Sequence, residues 1–185
     1  KVHTEKDGSG MKFFFPDSQD FIDPSFNFVT EERSVTRVRQ RDDLYAHESF
    51  SAPPFDGILV SRAVLDSGRY TFAQKHRLMR SGVREFFRLN DPNLETMGDC
   101  GAFTYVREDE PPYTVSELID YYDHLGFDYG LSLDHVILGF NFDDSKADAE
   151  WLRRRELTIT LADAFFREHK ARSCRFGVVG VAQGW

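Results

Sequence analysis

Asp99, Asp134 and Gln183 each stand just beyond an apolar run: Met97-Gly98 leads into Asp99, Leu131-Ser132-Leu133 into Asp134, and Gly180-Val181-Ala182 into Gln183. Polar residues that repeatedly follow apolar strands are what the C-terminal ends of parallel strands present to a substrate. Two carboxylates and an amide suit a flat heterocycle, because the carboxylates accept from ring and exocyclic N–H groups while the amide both donates and accepts. Phe103, four residues past Asp99, offers a ring on which such a heterocycle stacks. The small neighbours Gly98, Cys100, Gly101 and Ala102 let a ligand approach the backbone, and Gly184 leaves an N–H accessible beside Gln183. Each residue also has a plainer reading: Asp99 caps a turn, Phe103 is core, and Gln183-Gly184 is a turn. His135 beside Asp134 suggests a metal pair, but neighbours on a strand point to opposite faces. A packed or hydrogen-bonded histidine is therefore expected, and no residue is assigned as a metal ligand.

The elements that must position these groups alternate. Lys12-Phe13-Phe14-Phe15 reads as a buried strand stopped by Pro16, with Asp17, Ser18, Gln19 and Asp20 as a polar loop at its end. Strands are expected at 57–61, 83–89, 97–99, 129–133 and 176–181, and helices at 71–81 and about 147–171. Thr114-Val115-Ser116-Glu117 has the form of a capping box, so a helix starts there and ends by Gly126. Strand and helix in alternation are the pattern of βα units around a parallel sheet. The fold class expected is α/β: the N-terminal part, about five βα units, of a (β/α)₈ barrel, which typically takes about 250 residues. A dinucleotide-binding sheet is disfavoured, since the glycine-rich turn lacks the G-x-G-x-x-G spacing.

With 185 residues, 15% of them aromatic, the chain can bury one sizeable core. Residues 1–10 are polar, end in Gly8-Ser9-Gly10 and read as a remnant of expression ahead of a natural start at Met11; the domain is expected over 11–185. No apolar run approaches the roughly 20 residues of a membrane span and no secretion signal is evident, so a cytoplasmic setting without a membrane partner is expected. Cys100 and Cys174 form no C-x-x-C pair and read as buried thiols. A net charge of -8 argues against broad adhesion to nucleic acid, whose affinity comes from cations that displace counterions. The basic stretch 33–41, followed by Asp42 and Asp43, reads first as a solvated face with internal salt bridges and second as a phosphate-contacting strip.

Three strings together resemble the tRNA-guanine transglycosylases, or queuine tRNA-ribosyltransferases. That family has Asp-Ser-Gly-Gly-aromatic, then a Gly-Ser-Asp strand ending in Phe-Asp-Glu, then Gly-Ile-Val-Gln-Gly; here the same order runs Asp99-Cys100-Gly101-Ala102-Phe103, Gly126-Phe127-Asp128 to Leu133-Asp134-His135, and Gly180-Val181-Ala182-Gln183-Gly184. The opening from Met11 to Asp20 and the segment from Arg37 to Asp43 look most like the DNA-directed branch, the DpdA type, which places 7-deazaguanine bases in DNA. The resemblance implies a base exchange: an aspartate nucleophile displaces guanine from its sugar, a covalent intermediate forms, and a 7-deazaguanine takes the vacant place. Carried over by position, it makes Asp99 the general acid/base that contacts the base, Phe103 the stacking ring, Asp134 the second base-binding carboxylate, and Gln183 with Gly184 the reader of a carbonyl edge. Cys100 stands for serine, Ala102 for glycine and His135 for glutamate. The nucleophile and a structural zinc held by three cysteines and a histidine are implied beyond Trp185, in a remaining C-terminal part or a partner protein. Alternatives are the same exchange on tRNA, a barrel partner that lacks the nucleophile, and an unrelated metal-dependent hydrolase using Asp99, Asp134 and His135.

Overall fold

A computed structural model describes residues 10–17 and 19–184. The expected remnant, Gly10 apart, lies outside the described residues, as do Ser18 of the first polar loop and Trp185.

Five parallel strands form one sheet in the order β1-β2-β3-β4-β5, each paired with its neighbour in sequence. They are β1 (Phe14–Pro16), β2 (Gly57–Ser61), β3 (Glu95–Asp99), β4 (Tyr129–Leu131) and β5 (Gly177–Val179). The helices are a single turn α1 (Arg62–Val64), then α2 (Phe72–Phe86), α3 (Val115–Leu125) and α4 (Ala149–Arg172). Among the described residues the sheet does not close on itself; β1 and β5 are its edges. This arrangement fits a partial βα barrel.

Alternation along β2 divides the two faces. Ile58 and Val60 are each 1% exposed and pack with Leu78 of α2, Leu118, Ile119 and Tyr122 of α3 and Phe165 of α4. Leu59, Met97, Tyr129 and Val179 point to the opposite face, where with Lys12 they line an open hollow of about 430 Å³. The helical face is keyed by Tyr122, which is fully buried. A Cβ at Gly98 would lie 2.3 Å from that ring, and one at Gly130 2.4 Å, so only glycine on β3 and β4 lets the phenol lie flat on the sheet. Phe127, Phe165 and Phe176 pack edge-on around it.

The expected capping box holds: Thr114 Oγ1 accepts from the Glu117 N–H and the Glu117 carboxylate accepts from the Thr114 N–H. α3 then stops at Gly126 in the left-handed conformation. Thr71 and Gln74 make a second box at the start of α2. One expected strand is corrected: 83–89 is not a strand. After a break at Gly82 (φ 78°) the chain resumes a helical course, burying Val83, Phe86 and Phe87. Positions i, i+3 and i+4 are the apolar stripe of a helix, and a single turn of it is too short to be told from a buried strand by periodicity.

Candidate active site

Asp99 is the last residue of β3, and its position is set by register. Ser61 ends β2 directly opposite it, accepts the Val64 N–H at the start of α1 and gives its own hydroxyl hydrogen bond to the Asp99 carboxylate. The backbone N–H groups of Cys100 and Gly101 also point at that carboxylate. Gly101 makes this turn possible: its φ is +84°, and a Cβ there would lie 2.4 Å from Ser61 Oγ and 2.5 Å from Ala63 Cβ.

Asp134 follows β4 by three residues and is 6% exposed. Cys100, fully buried, donates its S–H to Asp134 Oδ1 at 3.0 Å, and Tyr105 Oη lies 3.0 Å from both Cys100 Sγ and the Asp134 carbonyl oxygen. The two aspartates are thus neighbours across the β3–β4 tips, linked through Cys100, whose backbone N–H points at the Asp99 carboxylate and whose thiol is bonded to Asp134. Burial first, and then the charge of Asp134, push the Asp99 carboxyl up to about 6. Burial also raises Asp134, against the Cys100 hydrogen bond, which favours its ionised form. The thiol itself is held protonated by burial and by the two carboxylates. A carboxyl poised near 6 beside an ionisable partner can give and take a proton close to neutral pH.

Phe103 lies in the turn after β3 and is 73% exposed, which corrects the core reading and leaves an exposed aromatic residue near Asp99 in sequence. Gln183 is engaged: Nε2 donates to the His135 carbonyl at 2.8 Å and to Thr158 Oγ1 at 2.7 Å, while Oε1 accepts the Ile137 N–H at 3.2 Å. It ties the segment after Asp134 to α4. Gly184 is exposed with nothing near its Cα. The structure therefore brings Asp99 and Asp134 together, leaves Phe103 and Gly184 open, and shows Gln183 bracing the Asp134 loop.

His135 is fully buried; its ring Nε2 lies 2.8 Å from the Glu108 carbonyl and its backbone N–H donates to Thr158 Oγ1. That is the packed histidine expected. Among the described residues no group of three His, Cys, Asp or Glu side chains is placed to hold a metal ion. The implied zinc site of three cysteines does not fit this chain, which has two cysteines in all, one of them bonded to Asp134.

Ser61 and Tyr105 are members of the site that sequence reasoning missed. Ser61 could have been found as the polar end of a strand; nothing local marks Tyr105. Asp17, at the tip of β1, is another buried carboxyl, 4% exposed and raised by burial to about 6.

No family model matches the chain. It is 52% identical over 186 aligned positions, 96% of its own length, to a protein of Salmonella montevideo named DNA-guanine transglycosylase. The chain spans less than half of that relative, 44% of its length, and no helix among the described residues is long and apolar enough to cross a membrane. By sequence, then, nearly all of this chain is similar to a part of a DNA-guanine transglycosylase.

Proposed function

We propose that the chain forms the base pocket of a transglycosylase that exchanges guanine in DNA for a 7-deazaguanine base, within a (β/α)₈ barrel of the DpdA type. The observation that carries this reading is the pair of coupled, buried carboxylates at the β3 and β4 tips, in a chain so similar to a protein of that name.

In this reading guanine, flipped from the duplex, stacks on Phe103, and the carboxylates of Asp99 and Asp134 accept from its N–H edge. Gly184 N–H and Gln183 meet the carbonyl edge, the base taking the place of Thr158 at Gln183 Nε2. A nucleophilic carboxylate outside these residues attacks the sugar C1′. The bond from C1′ to N9 breaks, its electron pair leaves with guanine, and Asp99 in its protonated form supplies the proton. The sugar is then held covalently. An incoming 7-deazaguanine loses its N9 proton to the Asp99 carboxylate as N9 attacks C1′, and the nucleophile is released. One hard displacement becomes two easier ones. The structural zinc implied by the resemblance is assigned, like the nucleophile, outside this chain, in a cytoplasmic protein.

The relative's name favours DNA over tRNA. Intact protein given duplex DNA and tRNA side by side, each carrying labelled guanine, is expected to release label from DNA when a 7-deazaguanine is supplied. Release from tRNA alone would replace the substrate, and release from neither would reject the activity.

A further inference from the structure

The arginines of segment 33–41 are not equivalent. Arg37 is bound to Asp23 at 3.1 Å and to the buried Asp43 at 2.6 Å, and Arg41 pairs with Asp42 at 2.7 Å. Asp43 also accepts the Gln40 N–H, and its carbonyl accepts from Arg88. These bonds fix the turn around Gln40, whose φ is 70°. Arg39 is left over, exposed and with no carboxylate partner among the described residues.

Arg39 faces a cavity of about 440 Å³ between this turn and α2, which Arg77 and Glu85 also line, together with Arg41 and Arg88, whose charges are met by Asp42 and Glu48. The floor is aromatic. The Arg77 guanidinium lies 4.7 Å from the centre of the Phe86 ring and that of Arg88 4.7 Å from that of Tyr45; Arg88 is further tied to Glu48 at 2.7 Å and to the Asp43 carbonyl, so it braces the cavity, and Arg77 joins Arg39 as a guanidinium with its N–H groups uncommitted to a carboxylate. Arg77 likewise has no carboxylate partner among the described residues, and Arg88 Nε is buried without an acceptor. Planar guanidiniums gathered around one cavity, with Arg39 and Arg77 unpaired, match the geometry of a phosphoryl group. In a chain of net charge -8 this cluster stands against the overall charge and is not a product of it.

We propose that this cavity binds a backbone phosphate of the DNA substrate, with Arg39 and Arg77 as its ligands and Arg88 as their support; the identity of the polymer rests on the base-exchange reading above. Each phosphate neutralised on B-DNA contributes about 0.9 to the slope of log affinity against log salt. The test measures binding of a labelled duplex by fluorescence anisotropy across a salt series, using intact wild-type protein, the double variant Arg39→Gln/Arg77→Gln, and a control of equal charge on the far helix and its exit, Arg167→Gln/Arg175→Gln.

The double variant is expected to bind about tenfold or more weakly at low salt, with a slope shallower by about 0.9, while the control runs parallel to wild type. Arg39→Glu, at an exposed side chain whose loss threatens no packing, is expected to weaken binding in the same direction. Equal changes in double variant and control, or no change in either, would overturn the site. So would loss of inorganic phosphate binding by calorimetry with the duplex slope unchanged, which would mark a free-anion site. Base exchange at saturating DNA separates this proposal from the one it rests on. A shallower slope without exchange in any protein leaves the phosphate site standing and the activity fallen; exchange with an unmoved slope does the reverse.

Discussion

Asp99 carries two demands that oppose each other. Its carboxyl is buried beside Asp134 and raised from 3.8 to about 6, so the folded state holds its proton more tightly than the unfolded chain does. The resulting stabilisation is complete below about pH 4 and is lost as pH rises through about 6, leaving an ionised, partly desolvated group at pH 7. Asp99→Asn, which keeps shape and one acceptor, should therefore raise stability at pH 7 by about 1–2 kcal/mol and have little effect at pH 4, read from urea unfolding at the two values. A variant equally stable at both would mean the carboxyl is not strained by its site. Asp17, raised in the same sense, is common to both proteins and cancels in the comparison. Cys100 makes a second case, since its S–H is the donor to a buried Asp134 oxygen. Cys100→Ala should cost about 1–3 kcal/mol by stranding that acceptor, whereas Cys100→Ser, which restores a donor, should recover most of it. Equal losses in the two would assign the cost to packing alone.

At the scale of elements, the site depends on how closely β3 and β4 lie against α3. Gly98 and Gly130 make room for Tyr122, and Gly98→Ala would drive a methyl into its ring. A loss of about 1–3 kcal/mol or more in urea unfolding is expected, and a neutral substitution would show that the ring is free to move aside. Much of this layer was legible in the chain: Thr114 and Glu117 announce α3, Gly57 to Ser61 is read as found, and aspartates at the ends of apolar runs mark Asp99 and Asp134. What was not legible depends on tertiary register. Ser61 reaches Asp99 because β2 and β3 pair one particular way, and Tyr105 reaches Asp134 because the turn after Gly101 folds back. Val83, Phe86 and Phe87 misled for a different reason: three apolar residues after Gly82 satisfy a strand and a helical turn equally well. The Gln183 amide also braces the backbone of the Asp134 loop, a link that no local pattern encodes.

Among the described residues, one face of the sheet is sealed by helices and the other is an open hollow, with β1 and β5 as the sheet's edges. A sheet with exposed edges calls for further strands or a cover, which agrees with a chain that matches 44% of a longer relative. Within it, the strand tips hold Asp99 and Asp134 and the flank of α2 holds the arginine-lined cavity, so the two proposals, base chemistry and backbone attraction, concern separate places. The account turns on Asp99 as the proton-handling group of base exchange. It is tested most directly by the rate at which intact Asp99→Asn protein replaces labelled guanine in duplex DNA with a 7-deazaguanine, compared with wild type at pH 7. A loss of about 10²-fold or more with duplex binding unchanged is the result predicted; exchange at the wild-type rate would contradict it.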